Sequence, residues 1–209
     1  DAQGISRFGM ERQPETTTLS TKEMEELQEL SRHRDALVKA KVAFESRGET
    51  RFSKSVQDLN KDFLKTIKEH IARTDKLMTK LAWEIPWVRR QMELMMSVPG
   101  VAETTAVGLS AELGDFKQYT RKEISAASGL SPLLRESGTS VKSSKISKRA
   151  PGRIRQLLFL STNHAIKKMP QLHIMYTRLL AKGKTKLQVK CACMRVFIQI
   201  LRSIVVYER

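Results

Sequence analysis

Between residues 20 and 86, apolar side chains return every three or four positions, and only a helix gathers that spacing onto one face. The first stretch carries Met24, Leu27, Leu30, Leu37, Val38 and Phe44; the second carries Val56, Leu59, Phe63, Ile67, Ile71, Leu77 and Leu81. Gly48 separates the two and Pro86 closes the second, residues that end helices by admitting a left-handed backbone or by lacking an N–H. Ser20 followed by Glu23 fits a capping box at the start. Two long amphipathic helices joined by a few residues are expected to fold back as an antiparallel hairpin or coiled coil. Arg34, Lys41, His70 and Thr74 fall on the inward side, so the seam is imperfect. Packing or oligomerisation is the favoured use of this stripe, ahead of direct RNA contact.

On either side the texture differs. Residues 1–19 lack periodicity and are rich in Thr, Gly and Pro, which reads as a linker. After Trp87 the helices are shorter. They are expected over 91–97, 102–113, 120–129 (with Thr120 and Glu123 as a second capping box), 153–168, between Pro170 and Gly183, and over 185–206, with a loop or short hairpin across 130–150. The expected fold class is mainly all-α: a long antiparallel helical hairpin followed by a small helical domain. The expected divisions are 1–19, 20–86 and 87–209.

Charge is placed unevenly along this frame. The chain has 209 residues and a formal net charge of +16. From Ser137 to Tyr207 there is no Asp or Glu, while fifteen Lys and Arg run from Lys142 to Arg202. Residues 1–136 nearly balance, with 22 basic and 21 acidic side chains. A regional excess of cations points to a polyanionic partner, DNA or RNA, held on one surface. No run of apolar residues is long enough for a transmembrane helix, and no signal-peptide pattern opens the chain. Cys191 and Cys193 lack zinc-site spacing and read as reduced, buried thiols of a cytoplasmic protein.

Three local motifs could carry chemistry. Ser97-Val98-Pro99-Gly100-Val101, between two helices, resembles a helix-hairpin-helix turn. There a glycine lets backbone N–H groups at a helix N-terminus approach a phosphate; an ordinary helix–helix turn is the equal alternative. Lys142, Lys145, Lys148, Arg149, Arg153 and Arg155 crowd fourteen residues and are interleaved with serines suited to phosphate oxygens. Lys182 and Lys184 flank Gly183 further on. Ser137 precedes Gly138 at the edge of the basic run, but a serine hydroxyl is a weak nucleophile without a base or metal. His33, His70, His164 and His173 are all distant in sequence, so spacing alone makes Ser137 a turn residue. Tyr119, Tyr176 and Tyr207 lack the Arg and His partners of a tyrosine recombinase.

Four ordered blocks then converge: VPGVAETTAVGLSAELGD, AASGLSPLLRESG, ISKRAPGRIRQLL and AKGKTKLQVKCACMRVFIQIL. Together they resemble the C-terminal domain of the one-ten family of bacterial insertion-sequence transposases, a group that includes pilin-gene invertases. The opening DAQGISRFG resembles the end of that family's N-terminal catalytic domain. The resemblance covers the first nine residues and roughly 94–204; the helical hairpin fits the family's linker in kind, not in motif. Ala150-Pro151 stands where Gly-Asn is common, and Ala102 replaces the second glycine of the hairpin turn.

The resemblance implies a DNA transposase or site-specific recombinase, with Ser137 as the nucleophile. It implies Mg²⁺ held by four carboxylates of a resolvase-like domain, of which Asp1 matches the last. It implies action as a homo-oligomer, dimer or tetramer, with acids and serine from different subunits, and for many members a structured guide RNA. A chain that opens on Asp1 is expected to be part of something longer, to bind DNA but not cut it alone, and to hold no Mg²⁺ tightly. The alternative expectation is a non-catalytic nucleic-acid-binding protein or a truncated relic. The location expected is the bacterial cytoplasm, associated with the nucleoid when bound.

Overall fold

The computed structural model describes residues 2–12, 21–48, 53–137, 141–147 and 150–208. In those residues the chain is helical except for one small β-hairpin, as the apolar spacing predicts. Within the stretch expected as a linker, residues 2–12 form a helix, α1 (Ala2–Arg12). Gly4 and Gly9 blur its periodicity, but Ala2, Gln3, Met10 and Glu11 are good helix formers, and Arg7 pairs with Glu11 one turn on at 3.3 Å.

Helices α2 (Lys22–Gly48) and α3 (Lys54–Glu84) form the long hairpin. Each spans about 40 Å or more at 1.5 Å per residue. They run antiparallel: Phe44 stacks near Phe63, with ring centroids 4.3 Å apart, and Arg34 ion-pairs with Asp75 midway along. The first cap lies one residue later than expected. Met24 N–H donates to the Thr21 hydroxyl at 3.3 Å, so Thr21 fills the role expected of Ser20, which lies outside the described residues.

Most of the arm's buried side chains lie in its proximal half, although Ile67 further out is buried as well. Met24, Leu27, Met78 and Ala82 belong to the same core as Val88, Leu109, Leu158 and Phe197. Further out, Val42, Leu59 and Phe63 are exposed. The hydrophobic core therefore crosses the division expected at residue 86, and the base of the arm is part of the C-terminal body.

That body contains α4 (Pro86–Met96), α5 (Glu103–Leu113), α6 (Arg121–Ala127), α7 (Gly152–Lys168), α8 (Pro170–Ala181) and α9 (Lys186–Tyr207). Pro86 and Pro170 open α4 and α8, positions where the missing N–H costs nothing. Thr120 with Glu123 forms the expected capping box, and Thr185 with Gln188 forms another. α5 and α9 lie at the centre: α5 touches α2, α3, α4 and α7, and α9 touches α4, α6, α7 and α8. Gln91, itself buried, satisfies the turn after α5. Its amide nitrogen donates to the Ser110 hydroxyl (2.9 Å) and the Gly114 carbonyl (3.0 Å), and its oxygen accepts from Phe116 N–H (2.8 Å).

Between α6 and α7 the chain leaves the core as an antiparallel pair, β1 (Pro132–Ser137) and β2 (Val141–Ile146). This fits the short hairpin allowed for residues 130–150. Among the described residues no helix is long and apolar enough to cross a membrane.

Candidate functional site

The β-hairpin carries the residue singled out as a nucleophile. Ser137 is the last residue of β1 and pairs with Val141; one rung nearer the core, Glu136 pairs with Lys142, and further in Leu133 pairs with Lys145. The register thus brings Ser137, Lys142 and Lys145 into one ribbon. Lys148, Arg149 and Asp1 lie outside the described residues.

The foot of the ribbon is closely held. Gly129 has φ +68°, and a Cβ there would stand 2.9 Å from both the Ala150 Cβ and Arg155 Nη1, and 3.0 Å from the Ser147 carbonyl. Ser147 N–H donates to the Ser131 carbonyl at 3.4 Å, and Arg155 Nη1 donates to the Ala150 carbonyl at 2.9 Å. Arg155, expected to face phosphate, spends at least one donor on this turn.

Arg153 corrects the sequence reading more sharply. Its side chain is 3% exposed, turned inward rather than into a phosphate-facing row. Nη1 donates to the carbonyl and hydroxyl oxygens of Ser31, each at 2.7 Å, and the Ser31 hydroxyl donates to Glu112 at 2.5 Å. Nε lies 3.6 Å from the Asp35 carboxylate. Desolvation, followed by the nearby Arg34 charge, lowers the Arg153 pKa, while Asp35, Glu112 and Asp75 oppose that fall. The sequence carried a signal for this: Arg153 opens the apolar face continued by Ile154, Leu158, Ser161 and Ala165, all buried.

The Pro99-Gly100 turn packs closely against α7. Gly100 has φ +97°, and a Cβ there would meet the Ser161 carbonyl at 2.6 Å and the Ala165 nitrogen at 3.0 Å. Its missing side chain lets the turn sit on the α7 backbone. Glu103 places a carboxylate in the first turn of α5 and accepts a hydrogen bond from the Trp83 indole N–H at 2.8 Å. Negative charge from the protein itself therefore occupies that helix pole. Pro99 stays exposed.

Lys182 and Lys184 are exposed in the α8–α9 turn, beside Gly183 with φ +74°. Arg178 and Lys186, close to that turn in sequence, are exposed too, as are Lys167 and Lys168 at the C-terminal end of α7. Their signal was the same acid-free run; no separate motif marks them. Tyr119 is tied down by its hydroxyl to the Leu113 carbonyl (2.8 Å), and burial raises its pKa. Burial likewise raises both free thiols, Cys191 and Cys193. Among the described residues no three His, Cys, Asp or Glu gather as metal ligands; Asp1 lies outside them.

Residues 92–177, from the middle of α4 to α8, match the profile of the transposase IS116/IS110/IS902 family. Over this stretch the chain is similar to that transposase family. The matched segment includes the whole β-hairpin and α7. The chain is 24% identical over 186 residues to the pilin gene-inverting protein of Moraxella bovis, covering 88% of this chain and 56% of that one. The pilin gene-inverting protein of Moraxella lacunata matches to the same extent. An insertion element IS110 protein of 43.6 kDa from Streptomyces coelicolor is 28% identical over 109 residues, 52% of this chain and 27% of that one. The chain thus spans about half the length of the pilin gene-inverting proteins it matches.

Proposed function

We propose that this chain is the C-terminal portion of a DNA transposase or site-specific recombinase, with Ser137 as the strand-transfer nucleophile. The observation that carries the reading is the place of Ser137. It ends β1 of a two-stranded ribbon inside the matched stretch, and the paired strand bears Lys142 and Lys145. A nucleophile for the DNA backbone gains from cations carried on a neighbouring strand, which hold phosphate.

In the proposed step the Ser137 Oγ bonds to a DNA phosphorus and the bond from that phosphorus to a deoxyribose oxygen breaks. The serine proton leaves, and the freed hydroxyl takes one up. The phosphoserine keeps the bond energy, so a second DNA hydroxyl can reverse the step on a new strand. Mg²⁺, when held by carboxylates of the intact parent, supplies charge stabilisation to such chemistry. Asp1 is the residue of this chain assigned to it. DNA is the proposed partner, with a structured guide RNA and further copies of the chain as its companions, in the bacterial cytoplasm.

The test is Ser137→Ala in a parent that includes an N-terminal catalytic domain. Recombination between the element's ends is lost while DNA affinity is kept. Loss of affinity instead would reduce Ser137 to a phosphate-positioning residue. A second reading is a nucleic-acid-binding protein without strand chemistry, drawn from the acid-free basic run between Lys142 and Arg202. Covalent protein–DNA adducts from this chain with Mg²⁺ and a plasmid carrying those ends would exclude it.

A further inference from the structure

Two arginines one residue apart, Arg153 and Arg155, grip opposite neighbours from the first turn of α7. Arg153 reaches into the arm: Ser31 O and Oγ at 2.7 Å each, Asp35 at 3.6 Å, with Ser31 passed on to Glu112 of α5. Arg34 and Asp75 pair beside it across α2 and α3, and the Arg153 Nε is buried without a hydrogen-bond partner of its own. Arg155 reaches the other way, to the Ala150 carbonyl at 2.9 Å. There Gly129 leaves no room for a Cβ against Ala150 and Arg155. Gly129 lies three residues before β1 begins and Ser147 directly follows β2. Both strands therefore pass through this clamp.

We infer that Arg153 and Arg155 are positioning residues that couple the α2–α3 arm to the Ser137 ribbon. The link runs from Ser31 and Asp35 through Arg153 to the first turn of α7. Arg155 and Ala150 carry it on to the foot of β1–β2. A charged, multiply hydrogen-bonded junction has directional geometry that an apolar contact lacks. A tilt of the arm, as when copies of the chain assemble through it, is passed to the ribbon rather than absorbed at the junction. The catalytic meaning of this coupling rests on the nucleophile reading of Ser137; the mechanical coupling does not.

The test measures the arm-to-ribbon distance by electron–electron double resonance in the full chain. Spin labels go on Leu59→Cys, which is exposed on the arm, and Lys142→Cys, with Cys191→Ser and Cys193→Ala removing the native thiols. The parent gives a single narrow distance maximum. Arg153→Met, which keeps side-chain volume without donors, loses that maximum to a broad distribution while its helical circular dichroism stays intact. Arg153→Lys recovers part of the narrowness. Arg155→Gln provides a second route should Arg153→Met fail to fold, and broadens the distance in the same way. A distribution as narrow as the parent's in a folded Arg153→Met or Arg155→Gln chain overturns the proposal. Failure of Ser137→Ala to abolish recombination would sink the nucleophile reading while leaving this distance result untouched.

Discussion

Gly100 rests directly on the backbone of Ser161: a methyl group on Gly100 would stand 2.6 Å from the Ser161 carbonyl oxygen. The turn between α4 and α5 is thereby fixed to α7, and Ser161 also donates to Thr105 at 3.2 Å. Gly100→Ala meets two penalties, the positive φ and the backbone collision. The expected loss is about 3 kcal/mol, combining left-handed strain with overpacking. Urea unfolding of the two proteins measures it. If the turn were instead a phosphate cradle, the variant would keep its stability and lose DNA affinity.

Arg153 is the second point where a residue expected at the surface proves interior. Arg153→Ala strips the Ser31 carbonyl and the Asp35 carboxylate of their cation and opens a cavity between α2 and α7. Removing one partner of a largely buried pair costs about 3 kcal/mol or more. Asp35 remains 28% exposed, which keeps the expectation at the lower end of that range. Thermal and urea unfolding check it; a change within error of zero would mean the junction reorganises freely.

The acid limb of stability comes from exposed carboxylates whose pKa values fall on folding. Glu208 is the plainest case: hydrogen bonds first from Lys117 and then from Arg90, with their charges, hold it below its ordinary value. The bonds are 3.0 and 3.1 Å and tie the end of α9 to α4 and the 3-10 turn Phe116–Gln118. Glu123 is lowered by its capping bonds to Thr120. A depressed folded pKa stabilises above the unfolded value, and that contribution disappears as pH falls through the folded pKa. The melting temperature is therefore expected to drop on acidification through about pH 4, the ordinary carboxylate range. Glu208→Gln should lower it at neutral pH and flatten the acid slope. Parallel curves for the two proteins would remove Glu208 from the account.

What was legible in the sequence was local. The capping box of Thr120 and Glu123 is two side chains reading their own backbone, so spacing suffices to find it. The helical arm followed from apolar periodicity. Its end in the shared core did not, because which of Met24 and Val42 is covered depends on α5, far along the chain. Arg153 and Arg155 looked alike within a basic run. Their separate fates arise from facing opposite ways off one helical turn, a tertiary fact that charge counting does not contain. The need for a glycine at position 100 was legible in the turn, but its close neighbour Ser161 was not, because α7 lies sixty residues further along the chain.

These fates divide the basic residues by their effect on DNA affinity. Each cation that neutralises a phosphate releases counterions and steepens the log–log salt dependence by about 0.9 on duplex DNA. Lys182 and Lys184 are exposed at the α8–α9 turn, with no carboxylate in the sequence between them and Glu136 or Glu208. Lys182→Gln with Lys184→Gln should therefore flatten the slope by up to about 1.8 if both touch phosphate. Arg153→Met, already committed to Ser31, should leave the slope unchanged while altering stability. Fluorescence anisotropy with a labelled duplex across a salt series reads both. A flatter slope in Arg153→Met, with the double lysine variant matching the parent, would place the phosphate contacts on α7 and return Arg153 to the surface.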